Sequence, residues 1–173
     1  MLDMGKLFYT EKALYSSEAF IKKILSEFYD MPSAVILQTK NGKPYIENGP
    51  YFSISHTEDK LFALFSSQEV GLDVENLNRK VNYLPIVKKF PISEQEEITC
   101  EKDFLYHWVA KESAIKYLGA TIAHDLKDLS FQNGKLFYKS VEATFQPQFI
   151  FLENYLLGIC AKTTLQILPT RLL

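Results

Sequence analysis

Arginine is nearly missing from this chain. Of 19 lysines and arginines in 173 residues, only Arg79 and Arg171 are arginine, so any phosphate site must lean on lysine. Cysteine is scarce too. Cys100 and Cys160 stand far apart without metal-ligand spacing, which excludes a disulfide framework and reads as reduced, partly buried thiols. No apolar run approaches the ~20 residues that span a bilayer. The first residues carry no apolar signal core, so the expectation is a cytoplasmic protein with no membrane partner. A net charge of −2 excludes a general nucleic-acid binder. No Gly-x-Ser-x-Gly elbow occurs, which sets acyl hydrolysis aside. What is present is a composition that folds: 47% apolar and 23% charged residues. The length suits one core or two small subdomains.

Periodicity predicts a first helix over about Ser16–Tyr29, with Ala19, Phe20, Ile24 and Phe28 as its apolar stripe. Asp30-Met31-Pro32 ends it. Strand-like segments follow at Ala34–Gln38, Tyr51–Ser55, Leu61–Ser66 and Val70–Glu75, then a polar linker at Asn76–Tyr83. Leu84–Phe90 reads as a short helix, and Ser93 with Glu96 as the capping box of another. The strongest helix is Phe104–Leu118, closed by Gly119. Leu129–Gln132, Lys135–Lys139, Phe149–Leu152 and Tyr155–Ala161 read as an antiparallel meander.

The halves resemble each other. Glu18-Ala-Phe-Ile-Lys22 matches Glu112-Ser-Ala-Ile-Lys116, Asn41-Gly-Lys43 matches Asn133-Gly-Lys135, and Leu61–Ser66 matches Tyr155–Cys160. The expected fold is α+β, with two similar helix-plus-antiparallel-strand halves packed as a pseudodimer. The halves would be 1–75 and 76–173, with a ligand site at their seam.

Three clusters carry chemistry. In Gly71-Leu-Asp73-Val-Glu75 the strand period puts Gly71, Asp73 and Glu75 on one face. Two carboxylates roughly 7 Å apart repel unless a cation or donors lie between them. A hard divalent ion wants such oxygens, and Gly71 leaves room for a ligand. The bland alternative is a strand with an acidic face in water. In Trp108-Val-Ala-Lys111-Glu112-Ser-Ala-Ile-Lys116, residues 108, 112 and 116 share a helix face. Glu112–Lys116 could then be an ordinary i,i+4 ion pair, but the expected burial of Trp108 places the pair beside a core or cleft. Phe52-Ser-Ile-Ser55-His56-Thr57 ends a strand with hydroxyls and a histidine, donors for a phosphate. His107 and His124 have no partner at useful spacing and read as structural or exposed.

Gly42-Lys43-Pro44, Phe52-Ser-Ile-Ser55-His56, Gly71-Leu-Asp73-Val-Glu75 and Trp108-x-x-Lys111-Glu112-Ser113-x-x-Lys116, in that order, resemble the 4′-phosphopantetheinyl transferases of the pseudodimeric, surfactin-synthetase-activating type. The motifs span residues 42 to 116. The resemblance implies transfer of the 4′-phosphopantetheine arm of coenzyme A to a serine of an apo acyl or peptidyl carrier protein, releasing 3′,5′-ADP. It implies Mg²⁺, or Mn²⁺ in its place, held by Asp73 and Glu112, with Glu75 direct or through water. Lys116 would steady the α-phosphate and the leaving group. Glu112 would serve as general base, alone or through a metal-bound water. His56 would contact CoA phosphate, Lys43 and Ser55 would lie near the adenine and its phosphate, and Lys111 would lie nearby. A monomer is implied.

Members of this type are longer before the first helix, where an extra strand and a basic segment hold the 3′-phosphate of CoA. Here that stretch offers Lys6 and Lys12, so a weaker grip on the 3′-phosphate is expected. Two other classes remain open: a degenerate module that binds CoA or a carrier without catalysis, and a metal-dependent phosphodiesterase. Lys80, Lys88 and Lys89 with Val87 and Phe90 form a candidate carrier-docking patch, against the alternative of a plain solvated helix.

Overall fold

The computed structural model describes residues 3–173; Met1 and Leu2, at the start of the expected N-terminal half, lie outside the described residues. In chain order the elements begin β1 (Asp3–Glu11), α1 (Ser17–Phe28), β2 (Ile36–Gln38), β3 (Pro44–Ile46), β4 (Tyr51–His56), β5 (Lys60–Ser66) and β6 (Val70–Asn76). Next come α2 (Leu84–Val87), α3 (Ile92–Gln95), α4 (Glu101–Leu118) and α5 (Ile122–Asp125). The strands β7 (Leu129–Gln132), β8 (Lys135–Tyr138), β9 (Val141–Glu142), β10 (Gln148–Leu152), β11 (Tyr155–Ala161) and β12 (Leu165–Arg171) complete the chain. The architecture is α+β. Among the described residues no helix is long and apolar enough to cross a membrane.

Two sheets form the centre. One has the order β12-β1-β5-β4 and the other β10-β11-β6. Their middle strands β5 and β11 are buried along their whole length, which is why both read as continuous apolar runs rather than alternating ones. Val70, Leu72 and Val74 of β6 join Leu157 and Ile159 of β11 and Leu7, Phe62 and Leu64 of the other sheet in one core. Phe20, Ile21, Ile24 and Leu25 of α1 pack on Phe8, Leu61, Ala63 and Phe65. Strands cross the expected 75/76 boundary in both directions. β6 pairs antiparallel with β11, and β12 pairs parallel with β1.

Four strands were not anticipated from sequence: β1, β3, β9 and β12. Of these, β12 runs along a sheet edge, where Pro169 costs no ladder bond. Helix α4 starts earlier than its apolar stripe, because the Asp103 carboxylate accepts from the backbone N–H of Thr99 and Cys100. The Ser93 capping box does not form. Pro91 precedes α3, with no side-chain cap bond. Cys100 is exposed at the start of α4, while Cys160 is buried.

Helix α4 lies directly on β6 and β11. A Cβ at Gly71 would meet the Ser113 carbonyl oxygen at 2.0 Å, and one at Gly158 the Val109 carbonyl oxygen at 2.6 Å. The space Gly71 provides is therefore filled by a helix backbone, not by a ligand. Its other consequence is to set α4 close enough for Glu112 and Lys116 to meet the carboxylates of β6.

Candidate active site

Strand alternation turns Gly71, Asp73 and Glu75 toward α4, while Val70, Leu72 and Val74 enter the core. The free edge of β6 faces β4, but no backbone ladder joins them. Two serines do so instead. Ser53 Oγ accepts from the N–H of Leu72 (2.9 Å) and Ser55 Oγ from that of Val74 (3.1 Å). Ser55 also donates to Asp73 Oδ1 (3.1 Å) and is itself buried. Its hydroxyl orients Asp73 across the seam.

Lys116 reaches the same carboxylate, with Nζ 2.7 Å from Asp73 Oδ1. The i,i+4 pairing with Glu112 that the helix offers gives way to this tertiary contact. Asp73 Oδ2 is buried and has no hydrogen-bond partner among the described residues. Glu112 lies against Asp73, and burial first, then the Asp73 charge, pushes its carboxyl up to about 8. Burial and the Asp73 charge raise Glu75 as well, against the lowering effect of Arg79. Arg79 NH1 donates to Glu75 Oε2 at 2.8 Å.

No group of three or more His, Cys, Asp or Glu side chains converges as a metal-holding cluster among the described residues. Mg²⁺ does not require one, since one or two carboxylates with substrate phosphates and water complete its shell. Asp73 and Glu112 fit that pattern. One supplies a buried oxygen without a hydrogen-bond partner among the described residues, the other a carboxyl whose charged form burial, and then the Asp73 charge, disfavour until a cation balances it.

Glu112 and Lys116 line a cleft of about 350 Å³, with Ser53, Phe52 and the 41–44 turn on its other wall. His56 is exposed at the end of β4 and lines a separate depression of about 340 Å³ with Lys12, Glu75 and Arg79. Arg79 was missed in the sequence, although its position four residues after Glu75 was a readable signal. Lys12, one of the two lysines the stretch before the first helix offers, is brought beside His56 only by the fold.

Lys43 lines the cleft, yet its ammonium contacts Glu69 and the carbonyls of Val70 and Tyr117. Lys111 is displaced further from expectation. It is fully buried, 2.8 Å from Glu94 Oε2 and 3.6 Å above the Phe90 ring. His107 Nδ1 meets the other Glu94 oxygen at 3.1 Å. Lys111 therefore belongs to a polar cluster beneath α4, apart from the cleft that Glu112 and Lys116 line. Burial lowers its pKa, and Glu94 opposes that. His107 is structural, as expected, though through a carboxylate that no local spacing announced. Trp108 is half-buried, stacked on Phe104.

A family model described as the 4′-phosphopantetheinyl transferase superfamily matches residues 69–160. The chain is 30% identical over 112 residues to the 4′-phosphopantetheinyl transferase gsp of Aneurinibacillus migulanus, covering 59% of this chain and 46% of that one. It is 30% identical over 124 residues to the 4′-phosphopantetheinyl transferase Sfp of Bacillus subtilis strain 168, covering 65% and 54%. The chain thus spans about half the length of the curated relatives it matches.

Proposed function

The chain belongs to the 4′-phosphopantetheinyl transferase superfamily, and from that premise we propose that it moves the 4′-phosphopantetheine arm of coenzyme A onto a serine of an apo acyl or peptidyl carrier protein. One observation carries the proposal: Asp73 of a strand meets Glu112 and Lys116 of a helix far off in sequence, these two lining a cleft, with an Asp73 oxygen that has no hydrogen-bond partner among the described residues. Asp73 and Glu112 would hold Mg²⁺, with Glu75 beside them. The ion, when bound, supplies positive charge for the CoA pyrophosphate oxygens.

The carrier serine oxygen forms a bond to the phosphorus that bears the pantetheine arm. The bond from that phosphorus to the bridging oxygen breaks, and 3′,5′-ADP leaves. Glu112 takes the serine proton as general base. Lys116 places its ammonium at the cleft, where the leaving phosphate gains charge. His56 would contact a CoA phosphate from the neighbouring depression, with Lys12 and Arg79 as further cations on that wall.

The pseudodimer and its halves, 1–75 and 76–173, belong to the same reading, as do a monomeric state and a cytoplasmic location. The carrier patch shrinks in this reading. Val87 and Phe90 are core residues, whereas Leu84 and Ile92 are exposed beside Lys88 and Lys89. Two exposed apolar residues with Lys88 and Lys89 between them in the chain suit an acidic carrier helix.

The test mixes the protein with CoA, Mg²⁺ and an apo carrier, and weighs the carrier by mass spectrometry. A gain of the phosphopantetheine arm supports transfer. An unchanged carrier with intact CoA overturns it in favour of a binding module. CoA cleaved without carrier points to hydrolysis.

A further inference from the structure

Two turns far apart in sequence meet near His56. The first, Thr57–Asp59, joins β4 to β5, and the second, at Glu153 and Asn154, joins β10 to β11. Tyr155 opens β11. Its ring belongs to the central core, with its centre 5.3 Å from that of Phe62. A tyrosine buried in this way needs a partner for its hydroxyl. The partner is Asp59, whose Oδ2 accepts from Tyr155 Oη. The other Asp59 oxygen accepts from Thr57 Oγ1 at 2.8 Å. One exposed carboxylate is thus held from β11 and from within its own turn.

The first turn carries Lys12 as well as His56. Thr57 N–H donates to the Lys60 carbonyl (2.9 Å) and Lys60 N–H to Thr57 Oγ1 (3.1 Å), which closes the turn. Lys12 is bound to it twice. Its N–H donates to the Asp59 carbonyl at 2.7 Å, and its ammonium to the Thr57 carbonyl at 3.3 Å. The second of these bonds uses one of three ammonium N–H donors. Lys60 fastens the same corner. Its side chain is 10% exposed, with Nζ 3.2 Å from Glu153 Oε2 and 5.4 Å from the centre of the Tyr155 ring.

Arg79 hangs on the second turn. Leu77 N–H donates to the Asn154 carbonyl at 2.8 Å, and Arg79 N–H to that of Asn76 at 3.0 Å. Asn76 is the ladder partner of Tyr155. Lys12 and His56 therefore reach the depression from one anchor and Arg79 from the other, and the Tyr155–Asp59 bond ties the two anchors together. Neither Tyr155 nor Asp59 is among the described residues that line the depression. Donors held at a fixed spacing bind a phosphate more tightly than donors that must first be ordered.

We propose that Tyr155 and Asp59 are positioning residues, a tie that fixes Lys12 and His56 against Arg79 and so sets how tightly the depression holds a phosphate of CoA. The tie rests on the transferase reading for its effect on CoA, but not for its effect on the turn. Tyr155→Phe, which keeps the ring in the core, and Asp59→Ala, at an exposed position, are compared with the unmodified chain. Calorimetry reads CoA affinity, and steady-state transfer reads kcat and KM. Hydrogen exchange at the Lys12 amide, which donates to the Asp59 carbonyl, reads the turn in the free protein.

Expected for Tyr155→Phe is faster exchange at the Lys12 amide and a CoA Kd raised about fivefold, the scale of one hydrogen bond. KM rises with Kd while kcat stays within about twofold, the pattern of lost uniform binding. Asp59→Ala, which frees the turn from both hydroxyls, weakens CoA by at least as much and serves should Tyr155→Phe fail to fold. Charge alone predicts the reverse, because removing an acid near an anion site favours the anion. In a chain that already carries Lys12→Met and His56→Ala, the effect of Tyr155→Phe on Kd shrinks below about twofold, as it does for residues that act through one another. Tighter CoA binding by Asp59→Ala overturns the tie. A lowered melting temperature in Tyr155→Phe with an unaltered Kd reduces the bond to a structural one and overturns it too, as does unaltered Lys12 exchange in both variants. Should the unmodified protein bind no CoA, the transferase reading fails, and Lys12 exchange still decides the tie.

Discussion

Lys116 Nζ lies 2.7 Å from Asp73 Oδ1, while the other oxygen of Asp73 is buried without a partner. One carboxylate thus meets a lysine through one oxygen and lies against the buried Glu112 carboxyl. If the lysine acts on the leaving group, Lys116→Ala should lower kcat by about 100-fold, the scale of losing one charge-stabilising donor. CoA affinity should change far less. Rapid-quench transfer and calorimetry separate the two, and an equal loss in both would reassign Lys116 to ground-state binding.

Asp73→Asn and Glu112→Gln should each abolish transfer with Mg²⁺ present. Neither should lower thermal stability by much, because each amide keeps the shape of the acid it replaces, and burial already disfavours the charged form of Glu112. Carrier mass and circular dichroism melting check the pair of statements. Near-normal transfer by either variant would reject these residues as metal ligands.

The raised carboxyl of Glu112 has a consequence for the metal-free protein. Its ordinary value is 4.5, and in the fold it stands at about 8. Between those values the folded chain holds a proton that the unfolded chain has released. Stability from this group therefore falls as pH rises from about 4.5 to about 8. Glu75, also raised, acts in the same direction. Melting curves in chelator should show the decline, and Glu112→Gln should flatten it. Added Mg²⁺ should stabilise more at pH 8 than at pH 6, because it competes with the proton. An equal slope in Glu112→Gln would contradict this account.

Gly71→Ala should be among the most damaging small substitutions in the chain. Its Cβ would stand 2.0 Å from a backbone oxygen and 2.4 Å from the Tyr117 backbone nitrogen, so no side chain can yield. The cost should reach or pass the ~3 kcal/mol upper end of ordinary overpacking, read by urea denaturation. Transfer should fall too, because α4 must move away from β6.

Glu94 and Lys111 are both fully buried and bonded to each other. Glu94→Ala leaves the Lys111 ammonium without its partner and should cost about 3–5 kcal/mol, whereas the double replacement Glu94→Leu with Lys111→Met should be near neutral. Denaturant midpoints of the two variants decide it. Similar losses in both would show that the pair contributes through packing alone.

Much of this site could be read from residue order. Gly-Leu-Asp-Val-Glu announces a strand with both carboxylates on one face, because strand side chains alternate. The α4 stripe and Gly119 announce a helix that puts Glu112 and Lys116 one turn apart. Local periodicity says nothing about what stands opposite. The partner of Lys116 proved to be Asp73 rather than Glu112. Ser55 faces Asp73 and Val74, and Lys111 turns toward a glutamate 17 residues away. Strand β1 escaped notice because its pairing partners are β5 and β12, and neither is near in sequence.

The sequence alone determined an α+β chain and the motif order of the transferase superfamily. These properties follow from side-chain period, turn chemistry and motif order, all of which act over a few residues. The tertiary structure decided which charges are neutralised and which remain available. Lys43 and Lys111 are each enclosed by acceptors, while Asp73 keeps one free oxygen. That distinction depends on burial and on partners tens of residues away, since a cation removed from water takes whatever acceptor the packed chain brings within reach.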